Sequence, residues 1–167
     1  MCFEIDFDAE RPTQTKVWKI LAVTDDGRFL SPVVHGKLAI AESHPYWSRL
    51  VHKLQETQYA LGVRKCIPDT AETTDSLSPR KSAAGLYVFL TERAARQWIW
   101  GYASRVCDFH LTPNLVLVEC DVTSEDWLYT SEDEDYGTTA ATYRALTPTR
   151  VVARYQYSGN EFRYTEI

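Results

Sequence analysis

The sequence predicts an α+β fold: a single domain over residues 1–167, with a twisted, mostly antiparallel sheet and two main helices at about 45–61 and 92–102. Three observations support this prediction. Short segments that alternate apolar and polar residues recur along the chain and are typical of half-buried strands. Two other segments carry apolar residues at helical spacing. A content of 44% hydrophobic and 25% charged residues is that of a globular domain, large enough to bury a substantial core.

The first predicted strands lie close to the N-terminus. The segment CFEIDF alternates with period two, and its carboxylates favour a position at a sheet edge. KVWKILAV is the second strand, ended by the turn TDDG. RFLSPVV is its predicted hairpin partner, interrupted by Pro32.

The first predicted helix lies in ESHPYWSRLVHKLQETQYALG. Ser43 is positioned to cap it, Pro45 fits its first turn, and Gly62 ends it. Apolar residues at helical spacing form its inward face: Trp47, Leu50, Val51, Leu54 and Leu61. The polar, proline-containing segment that follows predicts an exposed loop over residues 66–84.

The segment AAGLYVFLTERAARQWIWGY predicts a strand that leads directly into the second helix. Gly85 begins the strand over residues 86–90, and Thr91 is positioned to cap the helix. The inward helix face consists of Ala94, Ala95, Trp98, Ile99 and Tyr102. NLVLVECDV is apolar almost throughout, which predicts a central strand covered on both faces. After the acidic loop TSEDEDYG, the segments ATYRAL and RVVARYQY are strands joined across Pro148, and EFRYTEI is a candidate for another.

Charge and composition limit the partners. The formal net charge of −5 argues against nucleic acid, which needs a basic face, and favours a small molecule or a basic protein surface. No segment approaches the roughly 18 apolar residues of a membrane span, and the N-terminus lacks the features of a signal peptide. The scattered histidines predict no metal site. Cys2, Cys66, Cys107 and Cys120 show no paired spacing, so we expect buried thiols and an intracellular, cytoplasmic location.

The segments GLYVFLTERAARQWI, LVLVECDV and TYRALTPTRVVARYQY resemble the later half of the ADP-ribosyltransferase fold of diphtheria-toxin-like and poly(ADP-ribose) polymerase enzymes. The resemblance implies NAD as cofactor, with Gly85 and Tyr87 on the strand whose tyrosine stacks on nicotinamide. It places Lys19 near the first-strand residue that holds the ribose. The family's catalytic glutamate position carries Thr142, which cannot replace a carboxylate electrostatically, so Glu132 or Glu134 would have to supply that charge.

The pattern also resembles small uncharacterised phage and microbial proteins, through the VWK and SP segments, the strand GLYVFLT with its alanine-rich helix, and the late TYR. This resemblance implies a viral or mobile-element origin and binding to host machinery. We therefore predict a small acidic binding or inhibitor protein that needs no cofactor and is not an enzyme. The predicted partner-facing residues are Tyr129, Glu132, Asp133, Glu134, Asp135 and Tyr136. The alternatives are an NAD-binding enzyme or its inactive relative, with Lys19, Tyr87 and Glu134 as catalytic residues, and a structural or accessory protein whose acidic loop only maintains solubility.

Overall fold

The computed structural model describes residues 4–6, 8–31, 58–67, 85–105, 114–133, 138–158 and 161–167. These residues form ten strands and one α-helix, α1 (Glu92–Arg105). The strands are β1 (Glu4–Asp6), β2 (Lys16–Val23), β3 (Phe29–Leu30), β4 (Lys65–Cys66), β5 (Leu86–Phe89), β6 (Asn114–Asp121), β7 (Trp127–Asp133), β8 (Thr138–Tyr143), β9 (Ala145–Ser158) and β10 (Glu161–Glu166). A single turn of 3-10 helix, Ser124–Asp126, connects β6 to β7.

The sheet has the strand order β1-β7-β8-β5-β2-β6-β9-β10, with β3 paired to β2 and β4 paired to β9. All pairings among the described strands are antiparallel. The central strand β6 lies between β2 and β9, and its residues 115–118 are all buried, as the apolar run NLVLVECDV predicts.

Helix α1 covers one face of the sheet, which we call the helix face. Its N-terminus is capped as predicted, because the Ala94 amide donates to the Thr91 hydroxyl at 3.1 Å. The inward residues Ala94, Ala95, Trp98 and Ile99 are buried against β2, β5, β6, β8 and β9, which confirms that part of the predicted helix face. The Trp98 ring lies 5.8 Å from that of Phe89.

The opposite face of the sheet, which we call the far face, carries a second apolar cluster. Side chains alternate between the two faces along each strand, so Val17 and Leu21 of β2 lie on the far face while Ile20 and Ala22 lie on the helix face. The remaining members of the far-face cluster come mainly from β5, β6 and β8: Leu86, Val88, Val116, Val118, Cys120, Val122, Ala141, Tyr143 and Leu146, with Tyr59. Both faces of the central strands are therefore buried.

The predicted α+β class with two main helices is wrong. Of the described residues, 57% lie in strands and 13% in a single helix, so the part of the chain that the structure describes is nearly all-β. The last four residues of the predicted helix 45–61 are not helical: Tyr59 forms a β-bridge with Phe29, and its amide donates to the Phe29 carbonyl at 3.0 Å. Residues 45–57 lie outside the described residues. The spacing of apolar residues at 58–61 favours a helix, but the long-range backbone pairing of Tyr59 with Phe29 outweighs that local preference.

Two further predicted loops contain strands. Thr130–Asp133 of the predicted acidic loop lie in β7, which pairs with β8 on one side and β1 on the other. Cys66, the first residue of the predicted loop 66–84, lies in β4 and is exposed rather than buried. Residues 68–84 and 134–137 lie outside the described residues.

Strand β9 runs through Pro148 without interruption, so the two strands predicted to join there are one. The chain bends at Arg144 instead, between β8 and β9. Register shifts in the β6–β9 ladder, one of them immediately beside the Pro148 position, accommodate a residue that has no amide donor.

The remaining predicted strands are confirmed. The segment KVWKILAV coincides with β2, CFEIDF contains β1, and EFRYTEI contains β10. Gly27, at φ +81°, ends the tight turn between β2 and β3. No α-helix in the described part of the chain is long and apolar enough to cross a membrane.

Candidate functional site

The sheet has one thin junction, between β2 and β5. Their ladder contains the single pair Trp18–Phe89, whereas β2 pairs with β6 continuously over residues 16–22. We call this junction the β2–β5 seam. It divides the described sheet into β1-β7-β8-β5 and β2-β6-β9-β10, so few backbone hydrogen bonds connect the two halves.

Side chains supplement the missing backbone bonds at the seam. The Lys19 ammonium donates to the Tyr87 carbonyl of β5 at 2.5 Å. The Gln14 amide donates to the Leu90 carbonyl, just beyond β5, at 2.6 Å. Since a buried backbone carbonyl without a partner is costly, each side chain stabilises the seam where the ladder stops.

Lys19 is buried on the far face, where it alternates with Val17 and Leu21. Its exposed fraction is 5%, and burial lowers the pKa of its ammonium from 10.5 to about 8. At pH 7 the group is still mostly protonated. None of the ion pairs formed among the described residues includes it, so it is a buried cation without a counter-ion.

Two lysines converge on the ring of Tyr59. The Lys19 nitrogen lies 5.2 Å from the ring centroid and the Lys65 nitrogen 6.0 Å from it. Both distances are within the range of cation–π attraction, and Tyr59 is itself buried. The pairing of β4 with β9 positions Lys65, and the bridge to Phe29 positions Tyr59. The fold therefore concentrates positive charge at one aromatic ring.

The other buried titratable groups described on this face are neutral near pH 7. Burial raises the pKa of the Cys120 thiol to about 12 and raises the pKa values of the Tyr59 and Tyr143 hydroxyls. The Tyr143 hydroxyl is fully buried and has no hydrogen-bond partner in the part of the chain that the structure describes. Glu119 and Asp121, which alternate with Cys120, lie toward the helix face. We call Lys19, Tyr59, Lys65 and Tyr143 the amine site.

The structure brings Lys19 and Tyr87 together, but only through the Tyr87 backbone. The Tyr87 ring lies on the helix face, 6.3 Å from the Phe89 ring, and its hydroxyl hydrogen-bonds that of Ser131 at 2.9 Å. The Lys19 side chain lies on the far face. The ring and the amine therefore do not face a common space, as the implied NAD site would require.

The residue opposite Tyr87 is Thr142, the position of the missing glutamate in the family resemblance. Its side chain explains the glycine at position 85. A Cβ atom on Gly85 would lie 2.0 Å from the Thr142 Cγ2 atom, so the threonine side chain leaves no room for a side chain at position 85. Glu134, the predicted catalytic carboxylate, lies outside the described residues.

A second feature lies at the outer edge of the sheet, where β1 pairs with β7. The pairing places Glu4 directly opposite Glu132 and continues to Asp6 opposite Thr130. The chain then follows β7, since the Arg11 guanidinium lies 5.7 Å from the centroid of the Trp127 ring. We call the carboxylate-bearing residues of this region the acidic edge: Glu4, Asp6, Asp8, Glu10, Glu132 and Asp133.

The acidic edge accounts for the charge of the chain. It holds six of the 23 acidic residues of the chain, and the charges of the other 17 are nearly balanced by those of the 18 lysines and arginines. Asp6, Asp8, Glu10 and Glu132 are exposed, and none takes part in an ion pair formed among the described residues. Elsewhere Glu119 is paired with both Lys16 and Arg150. These four exposed carboxylates of the edge are thus negative charges that no ion pair among the described residues compensates.

Only part of the predicted partner-facing set lies at this edge. Glu132 is exposed at the β1–β7 pairing, and Asp133 ends β7. Tyr129, predicted as an anchoring aromatic, is only 8% exposed and belongs to the interior. Glu134, Asp135 and Tyr136 lie outside the described residues.

Reasoning from the sequence missed the acidic residues of the N-terminal segment and all of the amine site except Lys19. One signal was present: the alternation in KVWKILAV places Lys19 in phase with Val17 and Leu21, which indicates a buried lysine. Tyr59, Lys65 and Tyr143 are joined to it only by long-range pairing.

No protein-family model matches the chain, and no curated protein or solved structure shows significant similarity to it. Within the described ranges, no group of three or more His, Cys, Asp or Glu side chains could hold a metal ion.

Proposed function

We propose that the protein is a protein-binding module, a binder or inhibitor, whose acidic edge docks on a basic surface of its partner. One observation carries the proposal. The pairing of β1 with β7 joins two acidic segments more than 120 positions apart into a single surface, with Glu4 opposite Glu132. Acidic residues gathered on one pair of strands favour a partner surface of positive charge.

The position of the edge supports this function. In the described part of the chain β1 is the terminal strand, and no described strand pairs with its outer side. Exposed carboxylates on a rigid strand pair raise the rate of encounter with a positively charged surface and orient it on approach. Since exposed ion pairs contribute little affinity individually, the edge determines mainly association rate and specificity.

The proposed setting is the interior of a cell, in the cytoplasm. Cys66 is a free, exposed thiol, and such thiols persist best in a reducing compartment. The resemblance to phage and microbial proteins favours host machinery as the source of the partner, with the chain of viral or mobile-element origin.

The test begins with a stoichiometric partner, recovered with the wild-type protein from host lysate. Association rates are then measured at about 50, 150 and 500 mM NaCl for a variant carrying Asp6→Asn, Asp8→Asn, Glu10→Gln and Glu132→Gln. We expect association to slow at least tenfold at the lowest salt and to lose most of its salt dependence. A matched control, Asp25→Asn with Glu125→Gln, removes exposed carboxylates outside the edge and should stay within about twofold of wild type.

An edge variant that associates at the wild-type rate in low salt would refute the docking role of the acidic edge. Failure to recover any partner would favour the structural or accessory alternative. The NAD-binding alternative has its own assay: nicotinamide release by the purified protein. We expect none, whereas steady release that is abolished by Tyr87→Ala and by Glu134→Ala would replace the binding function by an enzymatic one.

A further inference from the structure

The far face of the sheet contains hydrogen-bond donors with too few acceptors. The Lys19 ammonium has three N–H groups, and among the described residues it donates to a single acceptor, the Tyr87 carbonyl. The fully buried Tyr143 hydroxyl has no hydrogen-bond partner within the described ranges. Buried polar groups are normally satisfied, and an exception indicates a missing water, ion or ligand.

The missing group is an anion. Lys19 is buried and forms no ion pair with another described residue, and the Lys65 nitrogen lies 6.0 Å from the centroid of the Tyr59 ring that Lys19 also faces. Cys120 and the tyrosines on this face are uncharged near neutral pH because burial raises their pKa values. A negative charge placed beside Lys19 would satisfy its open N–H groups and offset the cost of burying the cation.

The surroundings restrict the kind of anion. Apart from the amine site, Cys120 and Thr130, the buried far-face side chains of the described residues are aliphatic, and they include Val17, Leu21, Leu86 and Val88. A doubly charged phosphate would need several more donors than these residues offer. A monoanion with an apolar body matches one buried cation in an aliphatic environment.

We propose that the amine site binds the carboxylate of a small apolar acid, with Lys19 as the ion-pair donor and Tyr143 as a second hydrogen-bond donor. Both residues lie on the far face, two strands apart across β5, and Lys19 extends toward β5 to reach the Tyr87 carbonyl. The carboxylate lies over β5 between them, and the apolar body packs on the aliphatic cluster.

The β2–β5 seam provides access to this buried site. Strands joined by the single pair Trp18–Phe89 separate locally more easily than strands with a full ladder. Opening on the far-face side also breaks the bond from Lys19 to the Tyr87 carbonyl, which frees the ammonium to meet the carboxylate as it enters.

The test is a calorimetric titration of the full chain with sodium hexanoate, with hexan-1-ol as the uncharged counterpart. We expect hexanoate to bind at least tenfold more tightly than the alcohol. We expect Tyr143→Phe to weaken hexanoate binding about three- to tenfold and Lys19→Met to abolish it. The control Lys16→Met changes an exposed lysine that is ion-paired to Glu119 and Asp121 on the opposite face, and it should bind as wild type does.

Proton uptake tests the site without any substitution. Repeating the titration in buffers of different ionisation enthalpy gives the number of protons bound with the ligand. A carboxylate beside Lys19 raises the pKa of its ammonium, so uptake should increase from near zero at pH 7 toward one proton at pH 9. Cys120, whose pKa is about 12, does not titrate in this range. Absence of hexanoate binding at millimolar concentration, equal affinity for hexanol, or binding without proton uptake at pH 9 would each overturn the proposal.

Discussion

Replacing Lys19 by methionine should change the pH dependence of stability in one direction only. Lys19 has a pKa of about 8 in the folded protein against 10.5 in the unfolded chain, because burial disfavours its charged form. Between these two pH values the unfolded chain holds a proton that the folded protein has released. The free energy of unfolding therefore rises with pH across this window, and methionine, which has no charge to bury, removes that rise.

The magnitude follows from the two pKa values. A pKa of about 8 instead of 10.5 in a fully buried group corresponds to about 3 kcal/mol of stability that is absent below pH 8 and fully present above pH 10.5. The variant also loses the hydrogen bond to the Tyr87 carbonyl, at a cost of about 1–3 kcal/mol that does not depend on pH while the amine is charged. At pH 7 the two contributions act in opposite directions, whereas the change in relative stability with pH comes from burial of the cation alone.

The assay is urea denaturation of wild type and Lys19→Met at pH 7, 8, 9 and 10. The stability of the variant relative to wild type should fall by about 2–3 kcal/mol from pH 7 to pH 10. The control Lys16→Met removes an exposed lysine whose pKa is raised by its hydrogen bonds to Asp121 and Glu119, so its difference from wild type should stay constant over this range. A constant difference for Lys19→Met as well would refute the burial of a charged amine at the seam.

Three other predictions concern the core and the thiols. Trp98→Ala should lower the free energy of unfolding by about 3–5 kcal/mol, because the indole is 7% exposed, and denaturation that matches wild type would exclude Trp98 from the core. Gly85→Ala should lower the melting temperature, because the added Cβ atom clashes with the Thr142 Cγ2 atom. Thr142→Ser removes that Cγ2 atom, so the double variant should recover most of the lost stability in a thermal melt. A double variant that recovers none of it would contradict the clash as the cause. In the native protein a maleimide reagent should label Cys66 rapidly and Cys120 at least a hundredfold more slowly. Cys120 is buried, and burial raises the pKa of its thiol to about 12, so little reactive thiolate is present. Equal labelling rates under native conditions would contradict the burial of Cys120.

Local patterns in the sequence were sufficient for the elements whose signals are short-range. The strand KVWKILAV, its turn at Gly27 and the helix capped by Thr91 follow from alternation, a left-handed glycine and a side-chain cap within a few residues. Burial of Lys19 could also be inferred, since alternation places it in phase with Val17 and Leu21. The concentration of acidic residues around Glu132 could also be read from the sequence, but the pairing of this segment with β1 and β8 could not.

Tertiary pairing decided the remainder. The polar segment around Glu132 has weak strand propensity, and it becomes a strand because its backbone pairs with β8 on one side and β1 on the other. The same pairing brings the N-terminal carboxylates to it and forms the acidic edge. Tyr59 has helical spacing in its neighbourhood, yet it bridges to Phe29 and places its ring between two lysines. Hydrogen bonds between residues distant in sequence leave no local periodicity, so the sequence by itself determined individual strands and one helix, and the fold alone determined which charges and donors meet.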